Sequence, residues 1–432
     1  MATTKKIPVV SKQHLLPFIV ITSLFALWGF ANDITNPMVA AFGTVMEIST
    51  AKAALVQLAF YGGYATMAIP AALFVRKYSY KKGILLGLTL YAIGALLFYP
   101  AAEFEVFGFF LGSLYILTFG LAFLETTANP FILSMGDEQT ATRRLNLAQA
   151  FNPIGSLLGM FVASKFILIA LDSDKRNEAG ELIFSTLNDA QKAIIRTHDL
   201  EIIRNPYIIL GFVVITMFII VSMVKMPLKK KQENHTSAAS SFKRLFTNGK
   251  YKEGVLAQLF YVAAQIMCWT FIIQYAGNLG ISKAEAQNYN IVAMTIFLCS
   301  RFISTFLMKY VNGKKLLMIF AIFAIFTISG VILIEGMLGL YLLVATSAFM
   351  SLMFPTIYGI ALNGLKEEDT ALGAAGLVMA IVGGALMPIL QGLMIDMDKI
   401  GPLSGVNFSF ILPLICFCFI AIYGYRAQKL YD

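Results

Sequence analysis

Three charged residues, Asp33, Glu125 and Arg301, lie inside long apolar runs, far from the other charges of the chain. The 432 residues include 33 Lys and Arg and 24 Asp and Glu, and the remaining charges cluster between the runs. A charge at the centre of a membrane helix costs about 2.5–3.5 kcal/mol and usually marks function. Because burial disfavours a carboxylate anion, a buried acid can exchange a proton near neutral pH. We therefore predict proton coupling by Glu125 and Asp33, with a structural ion pair as the alternative, and a gating or structural charge at Arg301.

The neutral polar residues in the same runs recur at helical spacing. Amides offer paired donors and acceptors, and aromatic rings offer an apolar face, which together suit a neutral polyhydroxylated ligand. An anionic substrate would need several buried cations, and the runs contain Arg301 alone. For any single amide, a hydrogen bond between packed helices is the alternative. As a set, they predict a monosaccharide cavity lined by Asn32, Asn36, Glu125, Asn129, Gln149, Asn152, Gln258, Tyr261, Gln265 and Trp269.

The apolar runs that carry these residues determine the fold class. Hydrophobic residues make up 58% of the chain and charged residues 13%, against about 45–50% and about 25% in soluble proteins. This composition excludes a soluble enzyme, a disordered chain and a disulfide-built secreted domain. Runs this long and continuously apolar are typical of membrane-spanning helices. We predict an all-α polytopic membrane protein with twelve spans, near 15–45, 53–75, 83–101, 106–134, 145–164, 206–224, 254–276, 286–308, 315–334, 337–363, 371–395 and 406–425.

A basic, serine-containing stretch divides the spans into two sets of six. We predict an N-terminal six-helix half at 1–224, a cytoplasmic linker at 225–253 and a C-terminal six-helix half at 254–432. Twelve spans place both termini on one side of the membrane. Segments on that side carry 23 basic and 8 acidic residues, whereas the opposite segments carry 9 and 14. The positive-inside rule makes that side the cytoplasm, and it explains the net charge of +9 without a nucleic-acid partner.

The sequence pattern contains no arrangement typical of a metal or cofactor site. The four cysteines lie inside apolar runs, the three histidines lie outside the spans at no metal-ligand spacing, and Walker and dinucleotide glycine motifs are absent. We therefore expect a transporter and not an enzyme, with no metal and no cofactor other than a driving ion, a proton or sodium. Its expected partners are a monosaccharide and the lipid bilayer. We expect a monomer in a bacterial inner membrane.

Several stretches carry a family resemblance: residues 124–131 (Leu-Glu-Thr-Thr-Ala-Asn-Pro-Phe), 144–152 (Arg-Leu-Asn-Leu-Ala-Gln-Ala-Phe-Asn), 78–81, 264–269 and 347–356. Together they resemble the fucose permease family of sugar–proton symporters in the major facilitator superfamily. The resemblance implies the major facilitator fold of twelve helices, a central cavity between two halves, and alternating access. It implies uptake of L-fucose or a similar monosaccharide with a proton. It also implies roles in sugar recognition and proton movement for Glu125, and in sugar binding for Gln149 and Asn152.

One departure from the family pattern lies in the first span. The family pattern reads Ala-Asn-Asn-Leu-Asn-Asp, where residues 31–36 here read Ala-Asn-Asp-Ile-Thr-Asn. The acid is replaced by Asn36 and appears one helical turn earlier, as Asp33. Either Asp33 takes over the proton exchange, or the coupling differs in stoichiometry or ion. We predict L-fucose uptake with a proton. The alternatives are a glucose, galactose or N-acetylglucosamine carrier, with sodium coupling as an option, a non-transporting sugar sensor, and an export pump for hydrophobic cations.

Overall fold

A computed structural model describes residues 8–35, 38–48, 50–53, 55–175, 177, 183–226, 237–281, 283–395, 397 and 399–430, and most of them are helical. The α-helices of the first part of the chain are α1 Leu15–Thr35, α2 Met38–Val45, α3 Thr50–Ala53, α4 Leu55–Lys77, α5 Tyr80–Leu96, α6 Phe98–Phe104, α7 Phe107–Leu133, α8 Ala141–Gln149, α9 Asn152–Val162, α10 Ile183–Thr186 and α11 Asp189–Met223.

The α-helices of the second part are α12 Ala238–Thr247, α13 Gly249–Thr270, α14 Ile272–Asn278, α15 Lys283–Leu307, α16 Gly313–Leu333, α17 Met337–Met350, α18 Met353–Leu362, α19 Glu367–Met379, α20 Gly383–Ile395, α21 Gly405–Ser409 and α22 Ile411–Leu430. Short 3-10 turns and a π-helical turn, Ala163–Ile167, extend several of them. Two short strands, β1 Lys399–Ile400 and β2 Leu403–Ser404, pair antiparallel, with Lys399 opposite Ser404.

Eleven helical stretches of the described residues are long and apolar enough to cross a membrane: Lys12–Thr35, Leu58–Lys77, Tyr80–Phe104, Phe107–Leu133, Glu138–Ala170, Asp189–Met223, Asn288–Leu307, Gly313–Leu333, Met337–Leu362, Glu367–Ile395 and Gly405–Lys429. They match eleven of the twelve predicted spans in order. The predicted span at 254–276 is also helical, as α13 and α14. It is less apolar than the others because Gln258 and Gln265 lie within it. The all-α polytopic fold is therefore confirmed.

The chain forms two compact units. The first comprises Met1–Ile21, Ala128–Pro153 and Pro227–Asp432, and the second comprises Thr22–Thr127 and Ile154–Met226. In the first unit, the end of α7 and the whole of α8 therefore pack with the C-terminal part of the chain. This division follows packing, and the predicted halves with a linker at 225–253 stay a prediction.

Several of the described spans are interrupted, and two of these breaks lie next to residues of the predicted site, inside the first unit or at its border. The predicted span at 145–164 consists of α8 and α9, separated at Ala150 and Phe151, and the predicted span at 337–363 consists of α17 and α18, separated at Ser351 and Leu352. An interrupted helix frees backbone carbonyls that lipid cannot satisfy, so such breaks persist where protein groups bind them. The breaks therefore indicate where polar side chains are needed in the membrane interior.

In the second unit, α11 runs well beyond its predicted span. Asn188 and Gln191 form a reciprocal capping box at its start, which stabilises the first turn. Ion pairs then fix this end of α11 to the loop after α2, since Glu47 lies 2.6 Å from Lys192 and 3.1 Å from Arg196. The result is a 35-residue helix that continues through Pro206.

Candidate functional site

The first predicted acid lies in the last turn of α1, in the second unit. Asp33 is buried, and the amide nitrogen of Asn32 donates to its carboxylate at 3.4 Å. The predicted ligand Asn36 lies outside the described residues. A buried carboxylate at the end of a membrane helix fits the predicted exchange of a proton, because its anion is costly in this setting.

A close contact between helices holds this part of α1. Gly155 and Gly159 of α9 form a G-x-x-x-G pair that lies against the backbone of α1, at Ala26 and at Phe30. A methyl group on Gly159 would lie 2.7 Å from the carbonyl oxygen of Phe30, closer than carbon and oxygen atoms approach. Small residues at this spacing let two membrane helices touch through their backbones. The position of Asp33 therefore depends on α9.

The second predicted acid, Glu125, lies in α7, and solvent does not reach one of its carboxylate oxygens. Two tyrosines of α4 lie near the acids: Tyr64 is close enough to Glu125, and Tyr61 to Asp33, for the charge of each carboxylate to act on the phenol. Sequence reasoning missed both tyrosines. Their spacing of three residues within one span is the signal that could have found them, because it places both on one helix face.

A further unassigned donor occurs near the middle of α1. The indole nitrogen of Trp28 is buried and has no hydrogen-bond acceptor among the described residues. A buried donor without an acceptor carries a desolvation cost. Such groups are uncommon in native structures and need an explanation, such as a water or a ligand.

The first unit brings together two of the predicted amides. Gln149, the last residue of α8, donates from its amide nitrogen to the side-chain oxygen of Asn129 on α7, at 2.9 Å. Both side chains are buried. Asn152 opens α9 just after the break and remains partly exposed. This bond joins the two amides and uses one of the two donors of Gln149, whose second donor remains for a ligand hydroxyl.

The four predicted residues of α13 follow one face of that helix. Gln258 is buried, and neither atom of its amide has a hydrogen-bond partner in the described part of the chain. Tyr261 donates to the carbonyl of Met350 at 3.1 Å, and its side chain also bonds that of Gln265. The phenol thus supports the break in the span formed by α17 and α18. Of these four residues, Gln258 is the one whose amide donors and acceptor make no hydrogen bond within the described part of the chain.

Trp269 is the last of these four residues along α13. It is partly exposed, and its indole nitrogen donates to Ser347 Oγ at 3.1 Å. The edge of Phe297 meets the ring, with centroids 5.0 Å apart. Because its orientation is fixed from two sides, this ring is suited to present an apolar face to a sugar.

Arg301 of α15 is buried in the first unit. Its guanidinium donates to the backbone carbonyls of Gln149 and Ser351 and lies 4.7 Å from the centroid of Phe297. Both hydrogen bonds go to the main chain, at the two interrupted spans. The structural or gating role of Arg301 stays a prediction, and these two bonds show how the charge is held.

One group of acids and a histidine gathers outside the predicted spans, in the second unit. Ligand atoms of Asp172, His198 and Asp199 lie within 4.8 Å of one another. The group is already engaged: Asp199 accepts from the backbone amides of Asp172 and Ser173, at 2.9 and 2.8 Å, and Lys175 lies 2.6 Å from Asp172. The Lys175 hydrogen bond lowers the pKa of the Asp172 carboxyl. The cluster orders the segment before α10, and the sequence did not predict it.

Comparison with known proteins places these features in a family. The model of the Major Facilitator Superfamily matches residues 18–388. An L-fucose-proton symporter of Haemophilus influenzae is 68% identical over 98% of this chain and 99% of its own length. A glucose/galactose transporter of Brucella abortus is 30% identical, over 95% of this chain and 93% of its own. The crystal structure of the Escherichia coli fucose:proton symporter FucP covers 97% of this chain and 100% of its own, with 31% identity and a TM-score of 0.87. The chain therefore belongs to the Major Facilitator Superfamily and, within it, to the fucose permease family.

Proposed function

We propose that this protein imports L-fucose together with a proton, by alternating access, across the inner membrane of a bacterium. The 68% identity to an L-fucose-proton symporter over nearly the full length of both chains is the observation that carries the proposal. The sugar is moved unchanged, with no metal or organic cofactor. The distribution of basic residues supports cytoplasmic termini, and we propose a monomer as the transporting unit.

Glu125 and Asp33 carry the coupled proton in this proposal. Both are acids of predicted membrane spans, and each is accompanied by a tyrosine of α4. A proton can drive a sugar only if it binds the outward-facing and inward-facing states with different affinity. Burial supplies that difference, because the charged and neutral carboxyl groups respond differently to a change in access to water. Asp33 takes the role that the family pattern gives to an acid at Asn36.

The sugar hydroxyls bind the amides in this proposal. Gln149, Asn129, Gln258 and the partly exposed Asn152 supply hydrogen bonds, and the ring of Trp269 supplies the apolar contact. The remaining members of the predicted set are Asn32, Asn36, Glu125, Tyr261 and Gln265. Since the phenol of Tyr261 is already bonded to Met350, its contribution is to fix the wall of the cavity.

A second candidate substrate is glucose or galactose. The Brucella abortus transporter named for these sugars is 30% identical over 95% of this chain. That similarity is much lower than the similarity to the L-fucose-proton symporter, so L-fucose is the first choice.

Uptake into proteoliposomes tests substrate and ion together. The purified full-length chain is reconstituted, and labelled L-fucose, glucose, galactose and N-acetylglucosamine are offered under a pH gradient or a sodium gradient, each imposed alone. We expect L-fucose to accumulate under the pH gradient only. Accumulation of another sugar in preference to L-fucose, or accumulation that follows sodium, would overturn the proposal.

A pair of variants isolates the role of Glu125. Glu125→Gln keeps the shape and removes the titration, so we expect loss of pH-driven accumulation while counterflow of sugar down its own gradient partly survives. Glu335→Gln serves as the matched control, because Glu335 is exposed and lies outside the described helices. Undiminished proton-driven accumulation in Glu125→Gln would contradict the assigned role.

A further inference from the structure

The break between α8 and α9 leaves one carbonyl that the helix itself cannot satisfy. In a regular helix, each carbonyl accepts from the amide four residues later. The residue four after Gln149 is Pro153, which has no amide hydrogen. The carbonyl of Gln149 therefore needs another donor at a depth where lipid provides none.

The break between α17 and α18 repeats this arrangement. The residue four after Ser351 is Pro355, so the carbonyl of Ser351 also lacks its usual donor. The carbonyl before it, that of Met350, is held by the hydroxyl of Tyr261 at 3.1 Å. Two proline-containing spans thus expose equivalent carbonyls within the first unit.

A single side chain serves both carbonyls. Arg301 donates from Nη1 to Gln149 O at 3.1 Å and from Nε to Ser351 O. Its guanidinium is a rigid fork that can hold two acceptors at once, which a lysine ammonium on a flexible stem does less well. It is buried and lies over the ring of Phe297. Arg301 thus links the span carrying Gln149 to the span carrying Ser351.

The same segment makes further contacts with the C-terminal part of the chain. Asn146 donates to Thr356 Oγ1 at 3.1 Å, Asn363 donates to Glu138 at 2.9 Å, and Arg143 donates to the carbonyl of Thr305 at 3.3 Å. These bonds lie at the end of the first unit that the charge distribution predicts to be cytoplasmic. They mark a closed arrangement at that end.

We infer that Arg301 is a positioning residue that joins the two proline breaks and, through Gln149, couples the sugar-binding amides to closure of this end of the transporter. When the segment 138–153 separates from the C-terminal part, the bond from Arg301 to Gln149 O breaks, and the amide bonded to Asn129 loses its support. The inference rests on the proposed sugar site for the part played by Gln149. The link between the two breaks stands without it.

Closure of this end can be measured by forming a disulfide between the segment 138–153 and the C-terminal part of the chain. A Cβ atom on Gly359 would lie 3.4 Å from Cβ of Thr142, near the separation of about 3.5–4.5 Å that a disulfide needs. The pair Thr142→Cys and Gly359→Cys is placed in a chain whose exposed cysteines, Cys299 and Cys418, are alanine. Oxidation in membranes without sugar should then yield the cross-link efficiently.

Arg301→Gln added to this pair tests the link. We expect the rate of cross-linking to fall severalfold, and the half-saturation constant for sugar counterflow to rise about tenfold, the scale of one lost buried hydrogen bond. Arg426→Gln is the control, since Arg426 is exposed and pairs with Glu253 instead. A cross-linking rate and a half-saturation constant both unchanged in folded Arg301→Gln would overturn the inference.

A compensated variant, in which both prolines are replaced, distinguishes two roles of Arg301: joining the two spans, and supplying a donor to each carbonyl separately. Pro153→Ala and Pro355→Ala return an amide hydrogen to each break, so each carbonyl regains a donor when they are combined with Arg301→Gln. We expect the compensated protein to fold while cross-linking stays slow. Recovery of the wild-type cross-linking rate would show that Arg301 is only a local donor. Because cross-linking is measured without sugar or proton gradient, it is independent of whether L-fucose is the substrate.

Discussion

The contact between α9 and α1 gives a prediction whose size follows from the structure. A methyl group on Gly159 would lie 2.7 Å from the carbonyl oxygen of Phe30 and 3.0 Å from the backbone nitrogen of Ile34. These are main-chain atoms of α1, so no side-chain rotation can relieve the clash. Gly159→Ala must therefore push the two helices apart by several tenths of an ångström.

The expected cost combines two opposing terms. Overpacking a well-packed contact costs about 1–3 kcal/mol, whereas replacing glycine by alanine inside a helix returns about 0.5–1 kcal/mol. The net loss should be about 1–2 kcal/mol, which lowers the melting temperature by a few degrees. Because Ile34 is next to Asp33, transport should fall further than the loss of folded protein explains.

The assay is thermal unfolding of purified protein in detergent, with uptake measured on the same preparations. Gly112→Ala is the matched control, because its added methyl group on α7 would meet no atom within 4 Å, and we expect it to melt at or above the wild-type temperature. If Gly159→Ala also melts at or above the wild-type temperature, the reasoning about this helix contact is refuted.

Three further predictions concern residues outside the sugar site. Arg144→Met should lower the melting temperature far more than Arg426→Met, since Arg144 is buried and donates to the carbonyls that end α7 and to Val9; equal effects would contradict this. Asp199→Ala should cost about 1–3 kcal/mol in thermal unfolding, because two backbone amides lose their acceptor, and an unchanged melting temperature would argue against that role. The Lys175 hydrogen bond is the main cause of the lowered pKa of Asp172. The contribution of Asp172 to stability is therefore fully present above the ordinary pKa of an aspartate, and it is lost as the pH falls through the lower pKa of the folded state. A melting profile of Asp172→Asn that retains the full wild-type decline in acid would exclude this contribution.

Much of the fold could be predicted from the sequence. Long apolar runs between charge clusters form membrane helices, because a helix satisfies its backbone hydrogen bonds within lipid. Exceptions arose where local signals compete. The sequence placed the start of a span at 206, yet α11 begins at Asp189 and continues through Pro206, because its first turns are capped and paired with Glu47. The amides of α13 lowered its hydropathy while leaving it helical.

The candidate site was less accessible to sequence reasoning. Residue type and spacing predicted the membrane acids and the row of amides on α13, but they could not show that the hydroxyl of Tyr261 donates to the carbonyl of Met350. The tyrosines of α4 and the glycines of α9 gain their meaning only from the helix that each one touches. Likewise, Pro153 and Arg301 were visible separately, whereas their connection through one carbonyl depends on tertiary contacts between residues 152 positions apart.

Proton movement with the sugar is the most direct test of the central claim. L-fucose is added to weakly buffered proteoliposomes without any imposed gradient, and the external pH is recorded while labelled sugar entry is followed in parallel. The account predicts that the medium becomes alkaline as L-fucose enters, and that Glu125→Gln abolishes the pH change while some sugar still exchanges. Entry of L-fucose into wild-type proteoliposomes without alkalinisation, or an undiminished pH change in Glu125→Gln, would contradict it.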